Sequence, residues 1–174
     1  MENNKNAVLK HWYALYTKPR HEFAAAKEFR AEGIEFYLPT IEVVKQWSDR
    51  KKKITEPVFK GYIFLYATTK ERLLAVQKKS IVKVVSFEGK PSVIPDWEIE
   101  NLKKMLEGTD KIEVGDIPRI GERVKVISGP FQGVEGIVYH NDNSERMLAV
   151  SIELLRRSVI VHLPVESLIK KESD

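Results

Sequence analysis

Apolar positions along this chain follow two regimes. Between Trp12 and Leu106, segments repeating every second residue alternate with segments near the 3.6-residue helical repeat; beyond Gly121 only the two-residue repeat persists. Trp12–Thr17 reads as a strand that is apolar on both faces. Pro19 suits the first turn of a helix, where its missing N–H costs nothing. Arg20–Glu32 then repeats Phe23, Ala26 and Phe29 at roughly helical spacing, and Gly33 is placed to stop it. Ile34–Leu38 and Ile41–Trp47 read as strands, the second leading to a polar tip at Ser48–Lys53 and returning through Ile54–Phe59. Tyr62–Ala67 is the next strand. A helix over Lys70–Lys79 carrying Leu73, Leu74 and Val76 follows, then a strand at Ile81–Phe87, a turn at Glu88-Gly89-Lys90 and a short edge strand at Ser92–Ile94. Asp96 can cap a last helix whose Ile99, Leu102, Met105 and Leu106 are expected to face the sheet, with Gly108 closing it.

Thr109–Arg119 contains Gly115 and Pro118, has no strong period, and reads as a linker. After it come Val124 and Val126 around Lys125, a turn at Gly129–Gly133, and strands at Val134–Tyr139, Met147–Leu154 and Ser158–Leu163. Short strands with Gly-rich turns fit a small barrel. Ser144–Arg157 is ambiguous, because Met147, Leu148, Ile152, Leu154 and Leu155 are good helix formers at near-helical spacing. The β-branched run Val159-Ile160-Val161 favours strands. The expected organisation is a polar, frayed residue 1–10 segment, an α+β domain over 11–108, a linker over 109–120 and a β barrel over 121–172.

A strand sends alternate side chains to opposite faces, so Tyr62, Phe64 and Tyr66 share one face and Ile63, Leu65 and Ala67 the other. The aliphatic face has the character of core. The aromatic face fits either a partner surface or packing beneath loops. The tip from Lys45 to Lys53 holds Arg50, Lys51, Lys52 and Lys53, a candidate phosphate-contacting cluster or a solvated hairpin end.

Composition narrows the classes. The 174 residues are 43% hydrophobic and 31% charged, which fits a globular chain, and the net charge of +4 is compatible with nucleic acid without implying it. Cys is absent, excluding disulfides, a thiolate nucleophile and Cys-based zinc sites, and the four His show no paired metal spacing. Gly129–Gly133 lacks the Lys-Ser/Thr of a phosphate loop, and Asp49 and Glu56 are isolated carboxylates. A binding protein without catalytic residues, metal or cofactor is expected. No apolar run approaches the ~18 residues of a membrane span, so a cytoplasmic monomer without membrane association is expected.

Three stretches, in order, resemble the NusG family of transcription elongation factors. Trp12–Glu22 resembles the first strand and helix of its N-terminal domain, Phe59-Lys60-Gly61-Tyr62-Ile63-Phe64 its Phe-Pro-Gly-Tyr strand start, and Gly121–Val138 its KOW motif, with Gly129, Pro130, Phe131, Gly133 and Gly136 in the turn. The resemblance implies an antiparallel sheet with flanking helices, followed by an SH3-like barrel. It also implies that Phe59, Tyr62 and Phe64 occupy the positions that dock on the clamp helices of RNA polymerase, and hence that these rings stand uncovered. Lys18, Arg20 and His21 fall where family members approach non-template DNA; DNA, nascent RNA or polymerase is the implied partner of Arg50–Lys53. The Gln46–Lys52 hairpin is similar to that of specialised paralogues, RfaH-like in role, which antiterminate selected operons such as those for polysaccharide. In RfaH the C-terminal domain folds as helices that mask the polymerase site until recruitment. The glycines are expected to serve turns or close backbone approach, and Phe131 to be an exposed loop anchor. The family's barrel docks a ribosomal protein or Rho partly through a Phe-Gly-Arg turn, where this chain has Leu155-Arg156-Arg157, and Lys60 replaces the usual Pro. A housekeeping factor coupling polymerase to Rho or the ribosome, and a KOW-type ribosome-associated RNA-binding protein, are the alternatives.

Overall fold

The computed structural model describes residues 9–109 and 111–171. Most of the N-terminal stretch expected to fray, residue 110 of the expected linker and residue 172 lie outside the described residues. The strands are β1 (His11–Thr17), β2 (Phe36–Tyr37), β3 (Thr40–Gln46), β4 (Lys51–Pro57), β5 (Tyr62–Ala67), β6 (Ile81–Val84), β7 (Ser86–Phe87), β8 (Lys90–Pro91), β9 (Val93–Ile94), β10 (Glu113–Gly115), β11 (Glu122–Val126), β12 (Glu135–His140), β13 (Arg146–Ile152), β14 (Arg157–His162) and β15 (Ile169–Lys171). The helices are α1 (Glu22–Ala31), α2 (Thr69–Val76) and α3 (Asp96–Gly108). The fold is α+β, with antiparallel sheets and a β-rich C-terminal domain.

The chain divides into two compact units. Of the described residues, one comprises 9–38 and 59–95, the other 39–58, 96–109 and 111–171. Within the expected linker, Glu113–Gly115 pairs with β14, placing Val114 opposite Val159.

In the first unit β5 and β1 pair antiparallel at the centre of the order β2-β5-β1-β6, and β9 also pairs with β1. Leu15, Ile63, Leu65 and Ala67 form a core with Ala25, Ala26 and Phe29 of α1 and Ala75 of α2. The aliphatic face of β5 is therefore the one the helices cover. α1 begins at Glu22 rather than Arg20. Pro19 lies in the preceding turn, because Arg20 takes the left-handed φ of 63° and cannot continue a helix. Its buried face is Glu22, Ala25, Ala26 and Phe29, which leaves Phe23 on the exposed side. α2 likewise buries Ala75 while Leu73 and Leu74 stay exposed. Its start is set by a capping box in which Thr68 and Glu71 satisfy each other's backbone N–H. That donated bond is the main reason the Glu71 carboxyl lies below its ordinary range.

In the second unit β3 and β4 form a hairpin, and the order β10-β14-β13-β12-β11-β15 forms a six-stranded antiparallel sheet. Leu148, Val150, Ile152, Val159, Val161 and Leu163 are buried, and Met147, Ala149 and Ile160 make a further cluster with Tyr139. Central position between β12 and β14 resolves the ambiguity at Ser144–Arg157. Arg146–Ile152 finds ladder partners on both edges, and only Glu153–Leu155 winds into a 3₁₀ turn. α3 packs against β13, with Ile99, Leu102 and Met105 buried.

Candidate partner and nucleic-acid interfaces

The second face of the β1–β5 pair is aromatic because of register. Tyr16 lies opposite Tyr62, Ala14 opposite Phe64, and Trp12 opposite Tyr66. Phe64 also faces Tyr37 of β2. The rings pack in pairs along the face: Tyr16 and Tyr62 have centroids 4.5 Å apart, Trp12 and Tyr66 5.0 Å, and Tyr37 stacks on Phe64 at 6.4 Å. Phe59 meets Phe64 edge-on at 5.9 Å.

The expectation that Phe59, Tyr62 and Phe64 all stand uncovered is corrected. Phe64 is 0% exposed and Phe59 4%; only Tyr62 of the three is partly exposed. The cause is positional. Phe64 sits mid-strand between two paired neighbours with Phe59 and Tyr37 against its ring, whereas Tyr62 begins the strand. Tyr16, Tyr37, Tyr62 and Tyr66 are the partly exposed rings of this face, and at the start of β5 the Tyr62 hydroxyl donates to the Tyr16 hydroxyl at 2.7 Å. Lys83 places its ammonium 5.6 Å from the Tyr16 ring centroid.

Sequence reasoning missed Tyr16, although its place in the β1 alternation was a usable signal. It also missed Glu22. This buried carboxylate accepts the Gly61 N–H at 2.7 Å, while Thr17 donates its N–H to the Gly61 carbonyl at 2.9 Å. Two backbone groups of Gly61 are thereby tied to the β1–α1 junction, which carries Lys18, Arg20 and His21. All three are exposed, and His21 Nδ1 lies 2.9 Å from the Pro19 carbonyl oxygen. The structure therefore brings these three residues close in the fold to the start of β5.

Arg50, Lys51, Lys52 and Lys53 belong to the other unit and form a cluster of their own on the β3–β4 hairpin, all exposed. Lys45 pairs with Glu56, Lys53 with Glu42 at 3.6 Å, and Arg50 with Asp49 at 4.0 Å. Lys52 stands over Trp47, its Nζ 4.9 Å from the ring centroid. Trp47 was not among the residues singled out from the sequence.

At the C-terminal turn, Gly129 and Gly133 adopt φ of 97° and 84°. A Cβ at Gly136 would meet the Ala149 carbonyl oxygen at 2.5 Å, so close strand approach requires glycine there. Pro130 is exposed beside them. Phe131 is not an exposed anchor: it is 4% exposed, and a Cβ on Gly108 would lie 2.9 Å from its ring. The end of α3 thus closes over this ring. Two further side chains of α3 accept backbone N–H groups of the β-rich domain. Asn101 Oδ1 takes that of Glu135 at 3.2 Å, and Glu98 Oε2 that of Glu153 at 3.2 Å. Burial pushes the Glu98 pKa up to about 7; the Glu153 charge adds to the rise, and the donated N–H opposes it. Arg156 adopts the left-handed φ of 51°, a conformation glycine takes without strain.

A family model described as "Transcription termination factor nusG" matches residues 10–103. The transcription termination/antitermination protein NusG of Buchnera aphidicola subsp. Baizongia pistaciae is 30% identical over 173 residues, spanning 88% of this chain and 92% of that protein. Its namesake in Pseudomonas aeruginosa is 26% identical over 170 residues, spanning 90% and 96%. A solved structure of Thermotoga maritima NusG, concerned with its domain interaction, is similar with a TM-score of 0.51 and 22% identity over 97% of this chain and 100% of that one. That likeness bears on the fold.

Proposed function

Because the chain belongs to the NusG family, whose members are non-catalytic transcription factors, we propose that it binds transcribing RNA polymerase and suppresses pausing and termination. The observation that carries this reading is the Tyr16–Tyr62 pair, a partly exposed aromatic contact at the start of β5, on the same sheet face as the buried ring of Phe64, against which Phe59 and the partly exposed Tyr37 pack. Aromatic anchors that are already ordered lose little entropy on docking and concentrate binding energy. Phe59 and Phe64 then support the contact and Tyr62 makes it. No covalent step is required: a factor that binds the closed, elongating polymerase more tightly than the paused one shifts the equilibrium by that difference.

Lys18, Arg20 and His21, exposed at the start of α1, are the candidate contacts to non-template DNA. A specialised role at selected operons is supported by the cationic hairpin and by Leu155-Arg156-Arg157 in place of the Phe-Gly-Arg turn used for docking a ribosomal protein or Rho. Occupancy across transcribed DNA confined to a few operons is the expected outcome for that role, whereas occupancy on most genes indicates the housekeeping one.

The polymerase contact is tested by Tyr16→Ala/Tyr62→Ala in a purified elongation assay with single-round pausing and termination templates. The expected result is at least a tenfold weaker apparent affinity for polymerase. Unchanged affinity and unchanged pausing in a folded double variant refute the assignment.

A further inference from the structure

Five of the chain's 29 Lys and Arg, but one of its 25 Asp and Glu, fall between Lys45 and Lys53. The net charge of +4 therefore resides in those nine residues, and the remaining 24 basic residues are matched by 24 acidic ones. Within the tip, Lys45, Arg50 and Lys53 are offset by Glu56, Asp49 and Glu42. Of the five cations of the tip, this leaves Lys51 and Lys52 as those without a carboxylate within 4.0 Å among the described residues.

Trp47 sits among them in a fixed place. Its backbone N–H donates to the Arg50 carbonyl at 2.8 Å, closing the turn one step past the last ladder pair, Gln46 with Lys51. Gln46 Nε2 donates to the Trp47 carbonyl at 3.0 Å. Register places Lys45 opposite Lys52, and the Lys52 ammonium lies over the indole. Trp47 is 47% exposed. An aromatic ring held at the end of a two-stranded ribbon, half in water, contributes little to folding for its size. With one ammonium over it and another, Lys51, nearby, neither paired to a carboxylate, it has the composition of a base-stacking platform whose other face is open to a base.

We propose that this tip binds single-stranded nucleic acid, with one unpaired base stacked on Trp47 and the neighbouring phosphates held by Lys51 and Lys52. The inference deepens the nucleic-acid part of the preceding reading and is independent of the polymerase contact. A single strand is favoured over a duplex because the face of a base is available only when it is unstacked, and the tip offers a flat ring for a face. An acidic protein surface would engage the lysines but has no planar group that requires the indole.

The test uses the full chain without polymerase, so its failure is distinct from failure of the docking patch. Fluorescence anisotropy with a labelled oligothymidylate of about 20 nucleotides, and with a duplex of equal length, is read at about 50 and 200 mM salt. The single strand is expected to bind more tightly than the duplex. Trp47→Ala should weaken single-strand binding about 5- to 100-fold while keeping the salt dependence, and Trp47→Phe should retain most of the affinity. Lys51→Gln/Lys52→Gln should lower the slope of log affinity against log salt by about 1.4. Each variant changes an exposed tip, and a melting temperature equal to that of the parent verifies folding. The proposal is overturned by wild-type affinity in Trp47→Ala, by tighter binding of the duplex, by an unaltered salt slope in the lysine double variant, or by no binding at about 50 mM salt.

Discussion

On the sheet, Phe64 is wholly buried between Phe59 and Tyr37, whereas on the hairpin Trp47 stands half exposed at the end of the ladder under a lysine. Both are aromatic residues, one within a strand and one just past a strand's end, in stretches the sequence marks as candidate interaction surfaces. They differ in what surrounds them. The sheet ring has a paired strand on each side and other rings against it, so its surface is spent on folding. The hairpin ring has one neighbouring strand, and much of its surface remains for a partner. Position within the ladder thus separates rings that build a surface from rings that act as one, and substitutions in the two places should fail differently.

Phe64→Ala is expected to have the largest effect. Removing a fully buried ring should cost about 3–5 kcal/mol of stability in denaturant unfolding, with Phe64→Leu recovering much of it. A loss below about 1 kcal/mol would mean that the ring is not part of the packed layer. The contrast extends to charge, where Glu98 is buried and the hairpin lysines are not. The Glu98 pKa is about 7 in the fold against an ordinary 4.5, so the unfolded chain releases this proton first. Its contribution is therefore full below about pH 4.5, declines as pH rises and levels off above about pH 7, a fall of at most about 3 kcal/mol. Glu98→Gln keeps an acceptor for the Glu153 N–H and should flatten that window; an unchanged pH profile would contradict the assignment. Tyr62→Phe, which removes the hydroxyl donated to Tyr16, should cost about 1 kcal/mol. Trp47→Ala should alter stability by no more than about 0.5 kcal/mol. A loss of several kcal/mol there would erase the distinction between the two regions.

Periodicity made most elements legible. Tyr62–Ala67 and the end of α3 at Gly108 are as read from the sequence, Asp96 is the first helical residue rather than the cap before it, and Val159-Ile160-Val161 tipped Ser144–Arg157 towards strand, as found. Period also divided the faces of β5, because alternation is a local property. What covers each face is not local. The burial of Phe59, Phe64 and Phe131, and the exposure of Phe23, Leu73 and Leu74, depend on elements distant in sequence. The three-residue strand Glu113–Gly115 is too short to show a period and exists through pairing with β14. Glu22 gave no sequence sign of its bond to Gly61, whereas Thr68 and Glu71 carried a readable capping box. In the candidate interfaces, residue types were legible and accessibility was not.

The central claim, that the Tyr16–Tyr62 end of the sheet seats on polymerase, is tested most directly by a photo-crosslinking residue at position 62, with position 47 as its counterpart, in an elongation complex assembled from purified components. Crosslinks from position 62 to a polymerase subunit and from position 47 to a nucleic-acid strand are the predicted result. A complex in which position 47 crosslinks while position 62 reaches no polymerase subunit would contradict it.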